Sequence, residues 1–186
     1  MVDEMVEMVV ESVRVHMLSS RHVVILKEVG RERYLPIWIG PWEASAIAMR
    51  LQGLTPERPL THDLFASTLE AVGATVDRVI ISALAEETFH ALLVIARDGT
   101  LHEIDGRPSD ALALAVRVGA RIFVLAAVLE QAALGADGGL GDDDEGTPGI
   151  LGSGGDRVVD PRLDVFREFV NSLDTEAEGG AEGRSS

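Results

Sequence analysis

The feature that most constrains the fold of this chain is a repeat within it. Shifting the sequence by 67 residues superimposes the segment 41–50 on the segment 108–117, and both are alanine-rich. An internal repeat is the signature of a duplicated structural unit. The matched positions carry the same residue types: Pro41 on Pro108, Glu43 on Asp110 and Arg50 on Arg117. The repeat predicts an α+β fold in which internally duplicated β-β-β-α units form one compact domain.

The hydrophobic pattern assigns three strands and one helix to each unit. Valine-rich or alternating segments predict strands at 6–15, 22–29 and 34–39, then at 74–83, 88–96 and 100–104. Proline suits the first position of a helix and glycine its end, so helices are predicted from Pro41 to Gly53 and from Pro108 to Gly119. Another helix is predicted from Thr61 to Gly73 after a loop at 54–60, and a last strand at 121–125.

The C-terminal part of the chain has a different composition. Residues 131–186 hold 13 acidic residues against 4 basic ones, out of a net charge of −15 for the whole chain. Segments rich in glycine and aspartate cannot bury enough surface to fold. The expected organisation is a domain at 5–130, a Gly/Asp-rich linker at 131–157, a short docking helix at 158–174 and a disordered, acidic tail at 175–186.

Composition excludes several classes of protein. The chain has no cysteine, which excludes disulfides, thiolate metal sites and cysteine nucleophiles. Its apolar runs are too short to span a membrane, and its first residues are acidic, unlike a signal peptide, so a cytoplasmic location is expected. Residues 1–130 show no basic footprint, which argues against tight nonspecific DNA binding.

Polar residues cluster at the starts of the three predicted helices. Helix N-termini present free N–H groups and a positive dipole end, so they can bind phosphate. The chemistry of each residue type suggests a role. The candidate phosphate-binding residues are Arg58, Arg107, Ser109 and Thr61. The carboxylates suited to Mg²⁺ or Mn²⁺ are Glu43, Asp63 and Asp110, with Asp105 beside them. His62 is a candidate general base or acid.

Each of these residues also has a purely structural interpretation. Acidic residues in a first helical turn stabilise the helix dipole without any other function. Thr61 is a candidate N-cap, and Ser109 fits a cap or the first turn. Arg58 and Arg107 would then only pair with nearby carboxylates, and a single histidine such as His62 is more often structural than catalytic.

The same segments resemble the signatures of the bifunctional nuclease (BFN) domain family. The segments 35–40 with 43–44, 58–64 and 104–111 are similar to three family motifs, in the family's order, and the resemblance covers about residues 5–130. The segment 161–173 is similar to the C-terminal helix of bacterial members. The resemblance implies an α+β fold, oligomeric assembly and nuclease activity on DNA and RNA.

Three functions compete on this evidence. The first is a divalent-metal-dependent nuclease in which Glu43, Asp63 and Asp110 hold Mg²⁺ or Mn²⁺, His62 activates water, and Arg58 and Arg107 bind the phosphate. The second is a noncatalytic oligomeric module that regulates or binds a partner or ligand. A small-molecule hydrolase ranks last, because no nucleophile motif is present. Convergence of the helix-start residues on one site would favour catalysis.

A homo-oligomer is expected from the apolar surplus and the edge strands of the sheet.

Overall fold

The computed structural model describes residues 4–16 and 21–135, which form a mixed sheet of eight strands with four helices. The first strands and helices are β1 (Met5–His16), β2 (Arg21–Glu28), β3 (Arg33–Ile39), α1 (Pro41–Leu51) and α2 (Thr61–Ala71). The later ones are β4 (Ala74–Ala85), β5 (Thr88–Arg97), β6 (Thr100–Gly106), α3 (Pro108–Val118), β7 (Arg121–Leu125), α4 (Ala126–Ala132) and β8 (Leu134–Gly135).

The strand order in the sheet is β6-β5-β4-β7-β1-β2-β3-β8. Strands β1, β2 and β3 pair antiparallel, as do β4, β5 and β6, and β7 lies between the two groups. Strand β7 is parallel to β4 and antiparallel to β1. The order of elements thus contains β-β-β-α twice, with α2 between. Descent of these units from a duplication stays a prediction.

The core-facing positions of β1 and β4 shift partway along each strand. In β1 the pairing register shifts between Val10 and Ser12, so the core-facing positions change from even to odd at this point. In β4 the register shifts twice, and the core-facing residues are Ala74 and Val76, then Val79 and Ile81, then Leu84. A β-bulge inserts one residue and so reverses which side chains face the core.

The helices differ in how deeply they are buried. Helix α3 lies in the core with Leu112 and Leu114 fully buried, and α1 buries Ile47 against the same cluster. Both begin at a proline, as predicted, and α3 ends at Gly119 in the left-handed conformation (φ 72°) that glycine adopts without strain. Helix α2, by contrast, has no buried residue.

The start of α2 corrects one prediction. Thr61 is the first residue of the helix, so the N-cap is Leu60 and the expectation that Thr61 caps the helix is wrong. The carboxylate of Asp63 accepts a hydrogen bond from the Leu60 amide at 2.9 Å, which satisfies this end from within the helix. This contact is the half of a capping box in which the third residue of the helix satisfies the amide of the N-cap residue.

The end of the described region also differs from the sequence pattern. Helix α4 and strand β8 were not predicted, and regular structure continues to Gly135. The chain divides into two units, Met1–Leu134 and Gly135–Ser186. The rest of the predicted linker, the docking helix and the tail lie beyond Gly135 and so outside the described residues. Among the described helices, none combines the length and the apolar character needed to cross a membrane.

Candidate functional site

The N-terminal ends of α1, α2 and α3 meet and bring four charged or polar side chains into contact. These are Glu43 from α1, His62 from α2, and Arg107 and Asp110 from the start of α3, which we call the helix-end cluster. They come from three separate helix starts, and His62 and Asp110 lie 48 residues apart in the sequence. The sequence predicted each of them as a site residue, and the fold places them together.

Asp110 joins two of the cluster's side chains through its two oxygens. Oδ2 accepts a hydrogen bond from Nε of Arg107 at 2.7 Å, and Oδ1 lies 3.2 Å from Nε2 of His62. One carboxylate therefore fixes the positions of a guanidinium and an imidazole relative to each other. Charge-assisted bonds of this kind are stronger and more directional than neutral ones.

Glu43 holds the other side of the Arg107 guanidinium. Its Oε1 accepts a hydrogen bond from Nη2 of Arg107 at 2.7 Å. Glu43 folds back over the N-cap residue Gly40, where a Cβ atom would collide with its Oε2. Glycine at position 40 thus leaves room for the carboxylate to reach Arg107.

Arg107 remains accessible although two carboxylates bind it. Its side chain is 67% exposed, and Nη1 makes no hydrogen bond to any described residue. Hydrogen bonds from Asp110 first, and from Glu43 second, raise the pKa of Arg107 above its ordinary value. The guanidinium is therefore charged at all relevant pH values, and part of its donor fork faces solvent.

His62 is held in one orientation by the same carboxylate. A carboxylate only accepts hydrogen bonds, so the neutral imidazole donates its Nε2–H to Asp110 and keeps a lone pair on Nδ1. No described residue occupies Nδ1, and the side chain is 16% exposed. An imidazole with one nitrogen fixed by a carboxylate and the other free can accept a proton.

Asp63 was predicted to join this site, but it faces a different partner. Its Oδ1 accepts a hydrogen bond from Nε of Arg117 at 2.7 Å, near the C-terminal end of α3. Partial burial acts to raise the pKa of the Asp63 carboxyl, but the Leu60 amide and the Arg117 guanidinium together outweigh it and lower the pKa below its ordinary value. Asp63 is therefore an anchor between α2 and α3.

Two arginines at that end of α3 received no role from the sequence. Arg117 is only 7% exposed and also donates from Nη1 to the carbonyl of Ala113 at 2.8 Å. Arg50 donates to the carbonyls of Val116 and Arg117 at 3.2 and 3.3 Å, which caps the end of α3. The repeat pairs Arg50 with Arg117, and that pairing was the one signal in the sequence that could have singled them out.

The remaining predicted residues lie outside the cluster's contacts. Arg58 and Asp105 are exposed and make no ion pair or side-chain hydrogen bond with the described residues. Thr61 is exposed at the first position of α2. Ser109 is buried in the first turn of α3. Their roles in phosphate or metal binding stay predictions.

The carboxylates do not form a metal centre in the observed arrangement. The Arg107 guanidinium binds both Glu43 and Asp110, and Asp63 is paired with Arg117. Within the described parts of the chain, no three His, Asp or Glu side chains are grouped so that they could hold one metal ion. The predicted ligand set of Glu43, Asp63 and Asp110 does not fit a shared cation here.

Comparison with known proteins adds information that the geometry does not contain. Residues 24–137 match the family model described as the bifunctional nuclease domain. Two uncharacterized proteins of Mycobacterium tuberculosis, from strains CDC 1551 / Oshkosh and H37Rv, are each 39% identical over 167 residues, covering 90% of this chain and 94% of theirs. The segments that hold the helix-end cluster all lie inside the matched region.

Proposed function

This chain belongs to the bifunctional nuclease domain family, and from that premise we propose that it hydrolyses phosphodiester bonds in DNA or RNA at the helix-end cluster. The observation that carries the proposal is the shared carboxylate of Asp110, which binds Arg107 and His62 through separate oxygens. A cationic phosphate ligand and a proton acceptor are thereby held side by side. Both groups assist the hydrolysis of a phosphodiester, the first by positioning the phosphate and the second by activating water.

In this proposal Arg107 binds the scissile phosphate. Glu43 and Asp110 hold the guanidinium through Nη2 and Nε, and the Nη1 edge remains for the phosphate oxygens. Because the guanidinium of Arg107 is already held in place, less side-chain entropy is lost when the phosphate binds. Glu43 acts as a positioning residue.

His62 activates the attacking water in the same proposal. Nδ1 takes a proton from water as its oxygen attacks phosphorus, while Asp110 stabilises the resulting imidazolium through Nε2–H. The P–O ester bond breaks, and the leaving oxygen takes a proton from solvent, which gives a phosphomonoester and an alcohol. Positioned acid–base groups of this kind contribute about 10²–10⁴-fold in rate.

Dependence on Mg²⁺ or Mn²⁺ remains a prediction that activity must test. No step above passes through a metal, because the carboxylates do not fit a shared cation site in the observed arrangement. A cation would need Arg107 to leave at least one of its two carboxylates. The phosphate of an incoming substrate could compete for the same guanidinium.

The experiment that tests the proposal is a cleavage assay on single-stranded DNA and RNA, with Mg²⁺, with Mn²⁺ and with EDTA. The His62→Ala variant runs beside His90→Ala, which removes an exposed histidine on β5 that is not part of the cluster. We expect the first variant to lose cleavage and the second to keep it. Equal cleavage by both variants would reject the site, and absence of cleavage by the unaltered chain would reject the activity.

One observation favours a second candidate, a noncatalytic oligomeric module that binds a partner. Helix α2 buries none of its residues and exposes the large apolar side chains of Leu64 and Phe65. Exposed apolar surface of this kind marks interaction sites. In that case the ion pairs of the cluster would hold three helix ends together. A homo-oligomer would form through α2, and light scattering would measure its mass.

A further inference from the structure

An open cleft is lined by Asp63, which follows His62 in α2, and by Arg117 of α3. It has a volume of about 250 Å³ and lies between the end of α1, the loop that follows it, and α2. Its apolar wall includes Met49, Leu54 and Leu60. Pockets for drug-sized ligands span about 300–1,000 Å³, so this cleft suits a smaller group such as one base with its sugar.

The polar side of the cleft carries charges of both signs. Arg50, Asp63 and Arg117 contribute a net charge of +1, and Ser67 adds a hydroxyl. Nη1 of Arg50 makes no hydrogen bond to a described residue, because its bonds to the α3 carbonyls use Nε and Nη2. The Asp63 carboxylate is fixed from both sides by Leu60 and Arg117, so it is a rigid acceptor. A ligand with an apolar face, an N–H donor and a negative charge matches this lining.

The position of the cleft relative to the cluster limits what that ligand can be. His62 and Asp63 are adjacent in α2, and their partners Asp110 and Arg117 are seven residues apart in α3, about 10 Å at 1.5 Å per residue. Successive nucleotides of one strand in duplex DNA are about 3.4 Å apart along the axis. A span of about 10 Å is thus at most about three nucleotides, and fewer for an extended single strand.

We propose that the cleft lined by Arg50, Asp63 and Ser67 binds a nucleotide of the substrate strand close to the scissile phosphate. The base and sugar lie against the apolar wall, a base amino group donates to Asp63, and a phosphate pairs with Arg50. The proposal rests on the proposed nuclease activity for its place in the reaction. Its binding step can nevertheless be measured without any turnover.

The binding test uses the full chain labelled with ¹⁵N and titrated with adenosine 5′-monophosphate. The Ser67→Tyr variant fills the cleft with a ring, and Ala71→Tyr adds the same ring to an exposed position of α2 that does not line the cleft. We expect shifts at the amides of Thr55 and Ser67, and affinity at least about tenfold weaker in Ser67→Tyr but unchanged in Ala71→Tyr. Shifts confined to other regions, or equal affinity of both variants, would overturn the proposal.

Inorganic phosphate and adenosine, titrated separately, should each bind more weakly than the nucleotide. Equal binding of phosphate alone would also overturn the proposal.

A kinetic comparison separates this proposal from the proposed function. Bis(4-nitrophenyl) phosphate carries one scissile phosphodiester and no neighbouring nucleotide, so its hydrolysis should be much less sensitive to Ser67→Tyr than the hydrolysis of an oligonucleotide. KM for an oligonucleotide should rise about tenfold in that variant. Nucleotide binding in the cleft without hydrolysis of either substrate would reject the nuclease and keep the cleft. Hydrolysis of both substrates with equal KM in the variant would reject the cleft and keep the nuclease.

Discussion

Both ends of α3 carry an arginine that pairs with a carboxylate from another helix, but the two arginines differ in burial. Arg107, at the start of the helix, is 67% exposed, whereas Arg117, near its end, is 7% exposed. Each guanidinium makes hydrogen bonds through two of its nitrogens, so the two arginines differ in how far solvent reaches them and not in the number of their bonds. The same residue type can thus serve a ligand at one end and the fold at the other.

This comparison explains why charge pattern alone could not assign functions. Exposed ion pairs contribute little to stability, and the median is about 0–1 kcal/mol. Removing one partner of a buried pair is far more costly, because a charge is left without compensation. We therefore expect substitutions at the start of α3 to change activity, and substitutions at its end to change stability.

The largest expected effect follows from Asp110→Asn. An amide cannot hold His62 and Arg107 as the carboxylate does, so the rate of phosphodiester hydrolysis should fall about 10²–10⁴-fold with little change in the unfolding midpoint. The matched control is Asp105→Asn, which alters an exposed carboxylate on β6. Steady-state cleavage of a labelled oligonucleotide measures both. A rate for Asp110→Asn close to that of the control would contradict the role of the shared carboxylate.

The next effect concerns stability at the buried end of α3. Arg117→Met leaves Oδ1 of Asp63 and the Ala113 carbonyl without their donor, so the free energy of unfolding should fall by about 2–3 kcal/mol. Arg107→Met removes an exposed guanidinium but leaves Glu43, which is 14% exposed, without its donor, so it should cost about 1 kcal/mol. Urea denaturation of both variants measures the difference. Equal losses would remove the distinction between the two ends.

Much of the fold that carries these sites could be predicted from the sequence. The prolines at positions 41 and 108 and the glycine at 119 predicted α1 and α3. Helix α4 was missed because its apolar run directly follows β7 and shows no break between them. The register shifts in β1 and β4 were not predicted, because the hydrophobic pattern indicated only continuous strands at 6–15 and 74–83.

The assembly of the candidate site was less predictable. The sequence identified Glu43, His62, Arg107 and Asp110 one by one, but their convergence depends on how α2 packs against α3. The two residues His62 and Asp63 are neighbours in a helix, where consecutive side chains point in different directions. One therefore reaches the open end of α3 and the other its buried end, and no pattern in the sequence separates them.

A smaller effect should appear in the pH dependence of stability. The pKa of Asp63 is lowered in the folded protein, so its contribution is present above the unfolded value of about 3.9 and is lost as pH falls through the folded value. Asp63→Asn should cost about 1 kcal/mol at pH 7, with the loss of the bond to the Leu60 amide as one cause. Denaturation at pH 7, 5 and 3 should show this difference shrinking below about pH 4. A constant difference across that range would indicate that the charge of Asp63 is unimportant.

The smallest effect is expected for Arg50→Ala. Its guanidinium is exposed and caps two carbonyls at the end of α3, so its loss should cost about 0.5 kcal/mol. Thermal unfolding beside Arg58→Ala, an exposed arginine without such contacts, measures the difference. A midpoint equal to that of the control would show that the cap has no energetic value.

The most direct test of the distinction between the two ends of α3 is the rate of oligonucleotide hydrolysis by Arg107→Met, at a temperature where circular dichroism shows it folded. We predict a rate at least about 100-fold below that of the unaltered chain. Arg117→Met, measured while still folded, should retain a rate within about tenfold. Undiminished hydrolysis by Arg107→Met would contradict the proposal that the open end of α3 is the reaction centre.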